Sequence, residues 1–272
     1  MRMGLLGSGA VALTIARAAA ERRLGNFELV AVANRRWTSA VEEIQRHAGC
    51  KYTNEPLTFL DEGLDIVVEA AHPDVARAHA VTFARAGIHQ ILLSSGTLLD
   101  PDLFRDLAIA ATEMAVRVII PSGAIGGLDV LRASAVLGGL ERVTVSSIKP
   151  PVFWEAAPWV KNEGIDLSSI RIRTLIFSGC ALDAVRAFPT QLNVAVSASL
   201  AGIGPGNTAV RVYADPKMRH VIHRLELSGA FGEMTLEMHL ESSPHKPHGA
   251  LISALSIIGT IRTFGDWLRI GN

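Results

Sequence analysis

The chain has 272 residues, with 26 Lys or Arg against 26 Asp or Glu, so its formal net charge at pH 7 is zero. A chain without a basic surplus lacks the charge that neutralises a phosphate backbone, which argues against nucleic acid as a partner. Hydrophobic residues make up 49% of the sequence, and this excludes intrinsic disorder. At roughly 100–200 residues per domain, the length predicts two domains with sizeable cores.

The sequence pattern does not indicate membrane insertion or export. Apolar stretches such as residues 192–204 fall short of the roughly 20 residues that a spanning helix needs, and the residues after Met1 leave no room for a signal peptide. Cys50 and Cys180 lack the spacing of a disulfide framework or a thiolate zinc site. We therefore expect a soluble protein in a reducing cytoplasm.

Short apolar runs alternate with helical patterns through the first part of the chain. The expected strands, apolar enough to be buried on both faces, are residues 3–6, 29–33, 66–70, 91–93 and 116–120. Ser39 and Asp100 are suitable residues for helix starts, and the expected helices are residues 11–21, 39–47, 74–86 and 100–115. This alternation predicts an α/β domain over residues 1–121, a Rossmann-type doubly wound parallel sheet.

The pattern changes after residue 121. Extended runs follow at residues 143–148, 170–177, 209–213, 221–227 and 234–240, and helical runs at 128–137, 181–187, 191–202 and 251–267. Several extended runs alternate in polarity, which indicates a mixed or antiparallel sheet with one solvated or interface face. We expect an α+β domain over residues 122–248 that includes a long loop at 152–169. Residues 249–272 form a C-terminal helix that could pack back on the first domain.

A glycine motif follows the first expected strand. Gly7, Gly9 and Ala12 form the pattern G-x-G-x-x-A where that strand meets the first helix. In a dinucleotide-binding fold the first glycine permits a tight turn, the second lets the backbone approach the pyrophosphate, and the small third residue allows close helix packing. The motif predicts a dinucleotide site, with a structural turn in another α/β fold as the alternative.

The end of the second expected strand bears on the choice of cofactor. Rossmann domains that bind NAD carry Asp or Glu there, whose carboxylate accepts hydrogen bonds from the ribose and repels a 2′-phosphate. Here the position holds Asn34, followed by Arg35 and Arg36. Because guanidinium groups bind phosphate through charge-assisted hydrogen bonds, these residues predict NADP, or the use of both NADP and NAD. A solvated charge pair is the alternative.

Polar residues also follow the later strands of the first domain. Glu69 and the pair Ser94-Ser95 lie at strand ends, along which the nicotinamide half of a cofactor is expected. Glu69 is either a polar contact at that site or a strand-end charge. His72 precedes a proline, and we expect it in a loop.

Two histidines of the second domain are candidates for proton transfer. His220 and His223 lie at the start of an expected strand, where an imidazole can act as acid or base near neutral pH. Their spacing places them on opposite faces of an extended segment, so a shared metal site is not indicated and no metal is expected. His245 and His248 lie in an expected loop that either covers substrate or is solvated.

Several motifs across the chain together resemble the L-aspartate dehydrogenase family. The stretches at residues 120–129 and 188–195 carry the most specific resemblance. The other matching runs are the glycine motif, Glu69-Ala70-Ala71, Ser95-Gly96, Lys149-Pro150, residues 201–204 and Asp215-Pro216. The resemblance implies a Rossmann domain followed by an α/β domain that forms the substrate site and a dimer contact.

The same resemblance implies an activity, which is oxidative deamination of L-aspartate to iminoaspartate with NAD or NADP. The imine can hydrolyse to oxaloacetate or enter NAD biosynthesis. At matching positions the resemblance implies Ala124 and Asn193 as cofactor contacts and His223 as the catalytic histidine. It also implies a homodimer or higher homo-oligomer with a small-molecule substrate, which the apolar composition and the alternating strands favour as well.

One segment departs from the family pattern. The family carries an Asn-Pro-Lys-Thr-Ser-like run that resembles a carboxylate binder, whereas this chain has Lys246–Ala250, with His248 and Gly249 in place of Lys and Thr. Each buried polar contact left unmade in a dicarboxylate site costs about 1–3 kcal/mol. Two alternatives therefore stay open, namely a related oxidoreductase of the homoserine dehydrogenase or dihydrodipicolinate reductase type, and a dinucleotide-binding sensor without catalytic activity.

Overall fold

The computed structural model describes residues 1–136, 138–243, 246–268 and 270. The chain divides into two compact units. The first unit comprises Met1–Pro121 and Ser253–Ile270, and the second comprises Ser122–Ile252. Each unit has its own buried apolar core, as separate domains require.

The first unit is built on a six-stranded parallel sheet. Its strands are β1 (Arg2–Leu6), β2 (Glu28–Ala33), β3 (Lys51–Thr53), β4 (Ile66–Glu69), β5 (His89–Leu92) and β6 (Val118–Ile119). Their order across the sheet is β3-β2-β1-β4-β5-β6, the doubly wound order of dinucleotide-binding domains. The predicted Rossmann fold is confirmed. The edge strand β3 escapes the sequence prediction because its three residues are too few to show a period.

Four helices connect these strands, namely α1 (Ala10–Ala20), α2 (Ser39–Ala48), α3 (Pro73–Arg85) and α4 (Pro101–Glu113). Polar side chains set where they begin. The Thr38 hydroxyl accepts a hydrogen bond from the Val41 amide at 3.2 Å. Thr38 is therefore the N-cap of α2, which begins at Ser39. The Asp100 carboxylate accepts hydrogen bonds from two amides in the first turn of α4.

The second unit is built on a mixed five-stranded sheet. Its strands are β7 (Leu140–Lys149), β8 (Thr174–Cys180), β9 (Ala209–Ala214), β10 (Val221–Gly229) and β11 (Gly232–Leu240), in the order β11-β10-β7-β9-β8. Strands β7 and β9 pair in parallel, and the other neighbours pair antiparallel. The accompanying helices are α5 (Leu128–Val136), α6 (Pro158–Asn162), α7 (Ala181–Ala187) and α8 (Asn193–Ala201). The predicted mixed sheet with helices is confirmed.

The central strands of this mixed sheet place alternate residues on two faces. Val145 of β7, Val212 of β9 and Leu225 of β10 belong to the buried core cluster and define what we call the core face. Ser147 and Lys149 follow Val145 at steps of two residues, so they lie on the same core face. Polar groups therefore enter the core of the second unit at one end of β7.

The segment predicted as a long loop at residues 152–169 is instead largely structured. It contains single 3-10 turns at Pro151–Trp154 and Leu167–Ser169, with α6 between them. The Trp154 side chain is fully buried, donates its indole N–H to the Tyr213 carbonyl at 3.1 Å, and packs edge-on against Phe188. The loop prediction is wrong because the prolines and charges of this segment are typical of a loop, whereas tertiary packing around Trp154 orders it.

The predicted loop near the carboxyl end is also partly extended. The short strands β12 (Ser242–Ser243) and β13 (Lys246–Ala250) pair antiparallel, so the backbone at His248 belongs to a strand rather than a loop. His245 lies outside the described residues.

The last helix, α9 (Leu251–Gly265), contributes to the core of the first unit. Ile257 and Ile261 are fully buried in that core, and the ring of Phe264 lies 6.1 Å from the ring of Phe27. Within the described part of the chain, no helix combines the length and apolar character needed to cross a membrane.

Candidate active site

Gly7 forms the turn between β1 and α1. Its amide donates a hydrogen bond to the Ala33 carbonyl at 2.8 Å, and its φ of +102° is one that L side chains rarely adopt. A Cβ added at Gly7 would lie 2.6 Å from the Ala70 carbonyl oxygen. The turn therefore requires glycine, because the ends of β2 and β4 close around it.

Gly9 and the start of α1 form a cradle that suits an anion. Gly9 caps the helix without a side chain, and the first amides of a helix have no partner within it. A Cβ added at Gly9 would meet no described atom within 4 Å, whereas Ala12 is fully buried beneath the turn. An open backbone at a helix N-terminus binds phosphate groups readily, so these residues fit a dinucleotide pyrophosphate.

Asn34 shapes the turn after β2. Its side-chain amide donates a hydrogen bond to the Arg36 carbonyl at 2.7 Å, and its backbone carbonyl accepts one from the Tyr52 hydroxyl at 3.1 Å. Arg35 and Arg36 are exposed. The turn after β2 therefore presents two guanidinium groups to solvent. The hydrogen bonds of Asn34 stabilise this turn.

Glu69 is a buried carboxylate rather than a strand-end charge in solvent. It is 0% exposed, and it accepts hydrogen bonds from the Ala71 amide at 2.8 Å, the Ser94 amide at 2.9 Å and the Ser94 hydroxyl at 3.0 Å. Burial raises the pKa of Glu69, and these hydrogen bonds act in the opposite direction. Glu69 thus joins the ends of β4 and β5. His72, expected in a loop, is the N-cap of α3.

His223 lies in the sheet of the second unit. It stands opposite Ser147 in the pairing of β10 with β7, and its Nδ1 is 2.9 Å from the Ser147 Oγ. The side chain is 4% exposed. Burial lowers the pKa of His223 well below its usual value, and the nearby Lys149 ammonium lowers it further. The imidazole is therefore neutral near pH 7, and because Nδ1 is engaged, Nε2 is the nitrogen that can exchange a proton.

Lys149 extends this polar cluster along the core face of β7. Its Nζ donates a hydrogen bond to the Gln191 carbonyl at 3.1 Å and lies 4.5 Å from the ring centroid of Trp154. Sequence reasoning assigned no role to Lys149 or Ser147. The available signal was their two-residue spacing after Val145, which puts polar side chains on a face that is otherwise apolar.

The other predicted residues of the second unit lie at separate places. Ala124 is buried in the turn before α5, and Asn193 is the first residue of α8 and partly exposed. His220 precedes β10, with its side chain 44% exposed and its Nδ1 3.2 Å from Glu241 Oε2. The structure therefore buries His223 with Ser147 and leaves His220 at the surface.

Comparisons with known proteins agree with this architecture. A family model described as aspartate dehydrogenase, C-terminal, matches residues 129–264, and one described as homoserine dehydrogenase, NAD binding domain, matches residues 7–121. The L-aspartate dehydrogenase of Methanosarcina acetivorans is 33% identical over 271 residues, which are 100% of this chain and 99% of the relative. The chain belongs to the L-aspartate dehydrogenase family.

One further curated relative and two solved structures also match this chain. The Bradyrhizobium diazoefficiens L-aspartate dehydrogenase is 36% identical over 217 residues, covering 79% of this chain and 75% of the relative. The structure of aspartate dehydrogenase from Thermotoga maritima matches with a TM-score of 0.75 at 25% identity, covering 100% and 99% of the two chains. An amine dehydrogenase from Mycobacterium smegmatis, at 12% identity and a TM-score of 0.59, covers 97% of this chain and 91% of its own, and shares the fold.

We expect alanine at Gly7 and at Gly9 to have different effects. Gly7→Ala should destabilise the protein by about 1–3 kcal/mol, because the added Cβ meets backbone atoms at a positive φ. Gly9→Ala should change the free energy of unfolding by less than about 0.5 kcal/mol. It should still weaken NADPH binding at least about tenfold, because its methyl group fills space that the pyrophosphate needs.

Denaturant unfolding and a fluorescence titration with NADPH measure the two quantities on the same samples. Wild-type NADPH affinity in a correctly folded Gly9→Ala variant would contradict the placement of the pyrophosphate at this turn.

Proposed function

We propose that the chain oxidises L-aspartate with NADP or NAD, giving iminoaspartate that water hydrolyses to oxaloacetate and ammonia. The observation that carries the proposal is the buried His223 imidazole, held through Nδ1 by Ser147 at 2.9 Å, in a member of the L-aspartate dehydrogenase family. An imidazole that is neutral and fixed at one nitrogen is in the form that general base catalysis requires near neutral pH.

In this proposal the first unit holds most of the cofactor. Gly7, Gly9 and the first turn of α1 bind the pyrophosphate, with Ala12 permitting the close helix packing that shapes the turn. The cofactor supplies hydride-acceptor chemistry when bound. Ala124 and Asn193 of the second unit are proposed as further cofactor contacts, on the family resemblance of their positions.

His223 takes the proton in the proposed reaction. Oxidation of the amino-bearing carbon removes a hydride from that carbon and a proton from the substrate nitrogen, so one base is needed. The Nε2 of His223 accepts that proton and releases it to solvent, after which it can accept a proton from the water that attacks the imine. Ser147 can accept a hydrogen bond from Nδ1–H, so it holds the ring in the same orientation when the imidazole is neutral and when it is charged.

The identity of the substrate is the part of the proposal that the sequence supports least. The second unit matches the aspartate dehydrogenase model, and the homoserine dehydrogenase model matches the first unit. The replacement of a family Lys and Thr by His248 and Gly249 removes polar groups expected to bind a carboxylate. A panel of amino acids that includes L-aspartate, L-glutamate and L-homoserine therefore belongs in the test.

We expect NADPH formation with L-aspartate to exceed that with the other amino acids of the panel, and to depend on His223. His223→Ala should lower kcat/KM by about 10²–10⁴-fold while NADPH affinity stays near the wild-type value. His220→Ala is the matched control, because His220 is a surface histidine three residues away, and it should retain most of the activity. Absorbance of the reduced cofactor measures both variants.

Two results would reject parts of this proposal. Loss of activity in His220→Ala with retention in His223→Ala would reject the assignment of the base. If no amino acid of the panel supports turnover while NADPH still binds, the chain is a dinucleotide-binding sensor and the proposed reaction is wrong.

We also propose that the chain prefers NADP, because Asn34 stands where NAD enzymes place a carboxylate and is followed by Arg35 and Arg36. The double change Arg35→Ala/Arg36→Ala should weaken NADP binding about tenfold or more and leave NAD binding nearly unchanged, since charge-assisted bonds to the 2′-phosphate are lost. Asn34→Asp should shift the preference toward NAD. Calorimetric titration with both cofactors measures the ratio.

The matched control for the arginine pair is Arg22→Ala/Arg23→Ala, which removes two neighbouring exposed arginines at the end of α1 in the same unit. It should leave both affinities near the wild-type values. Equal wild-type affinities for NAD and NADP that do not change in Arg35→Ala/Arg36→Ala would refute the NADP preference.

A homodimer or higher homo-oligomer is also proposed, on the family resemblance and on the alternating polarity of the strands of the second unit. Light scattering at micromolar concentration should give a multiple of 29.0 kDa, and a monomer mass would contradict this.

We propose a cytoplasmic location because the two cysteines are not joined in a disulfide. Cys50 and Cys180 are both free thiols, and burial raises the pKa of Cys50 to about 11. Unpaired thiols fit a reducing compartment.

A further inference from the structure

A fixed positive charge lies close to the proposed base. Ser147 stands directly opposite His223 in the pairing of β7 with β10, and Lys149 follows Ser147 by two residues on the same core face. Two residues span about 6.6 Å along a strand. The Lys149 ammonium and the His223 imidazole therefore belong to one polar cluster of the second unit.

The contacts of Lys149 hold its ammonium group in place. The side chain is 7% exposed, and its Nζ donates a hydrogen bond to the Gln191 carbonyl at 3.1 Å and lies 4.5 Å from the ring centroid of Trp154. Trp154 is itself fixed, because its indole N–H donates to the Tyr213 carbonyl. A charge held among buried groups acts on its neighbours more strongly than one in water.

The other elements packed against His223 supply apolar or neutral groups on its side. Across β11 the residue opposite His223 is Met238, while Glu237 and His239 alternate onto the opposite face. Helix α8 packs on β7, and its sequence NVAVSASLA holds no ionisable side chain. The charged residues of α5, Asp129 and Arg132, are exposed. Lys149 is thus the charged group that faces the imidazole within the described elements.

We propose that Lys149 is a positioning residue for catalysis, whose fixed positive charge adds to burial in favouring the uncharged, proton-accepting form of His223. This inference rests on the proposed role of His223 for its effect on turnover, whereas the effect on the imidazole itself is independent of that role.

The direction of the effect on the His223 pKa follows from the repulsion between two positive charges. Burial of His223 is the larger cause of its lowered pKa, and the positive charge of Lys149 adds to it because an imidazolium beside an ammonium is repelled. Removal of the Lys149 charge therefore raises the pKa of His223. A base must be uncharged to accept a proton. The pH at which activity rises is therefore higher when the pKa of His223 is higher.

The experiment measures the protonation of His223 directly in the protein without cofactor or substrate. Histidine-selective ¹⁵N labelling and long-range ¹H–¹⁵N spectra over a pH series give the pKa of each ring, and the His223→Gln variant identifies the His223 signals. Lys149→Met should raise the His223 pKa, because the repelling positive charge is lost, and Lys149→Arg should keep it near the wild-type value. Lys217→Met, at an exposed lysine of the same unit, should leave it unchanged.

The same variants are then tested for turnover of L-aspartate across pH. The acid limb of kcat/KM should move to higher pH in Lys149→Met by the amount seen in the spectra, and Lys217→Met should keep the wild-type profile. A raised His223 pKa without movement of the acid limb supports the electrostatic inference and contradicts His223 as the base. An unchanged His223 pKa in a folded Lys149→Met variant overturns the inference, whatever the rates do.

Discussion

In the second unit, the orientation of the His223 imidazole depends on a buried hydrogen bond to Ser147, with 2.9 Å between Nδ1 and Oγ. A polar side chain in an apolar core is tolerated when it is hydrogen-bonded, and costs about 1–3 kcal/mol when its partner is absent. Apolar neighbours on the core face, among them Val145 and Leu225, set the register of β7 against β10 and so bring Ser147 opposite His223. The orientation of the imidazole therefore follows from the packing of the sheet around it.

The first unit meets a different constraint, which concerns backbone shape. The turn after β1 closes on the Ala70 carbonyl so tightly that Gly7 accepts no side chain, while the space at Gly9 stays open. The buried carboxylate of Glu69 holds the ends of β4 and β5 beside this turn through hydrogen bonds from backbone amides. One unit thus has an open backbone turn at a helix N-terminus, and the other has a buried imidazole held by a hydrogen bond.

Local patterns in the sequence predict most of the architecture. Apolar runs and helical spacing are properties of neighbouring residues, so the order of strands and helices and the glycine turn are accessible from sequence. The bond from Ser147 to His223 joins residues 76 apart in sequence, and that between Glu69 and Ser94 joins residues 25 apart. Such partners depend on strand register, which no local pattern contains. The burial of Trp154 in a segment rich in prolines and charges escapes prediction for the same reason.

A crystal structure of the chain with NADP and a non-reacting aspartate analogue would test the central claim most directly. We expect His223 Nε2 within about 2.6–3.2 Å of the analogue's amino nitrogen, directly or through one water. We also expect Nδ1 of His223 still bound to Ser147, and the 2′-phosphate of NADP in contact with Arg35 or Arg36. An analogue bound away from His223, with its amino group next to another base, would contradict the account.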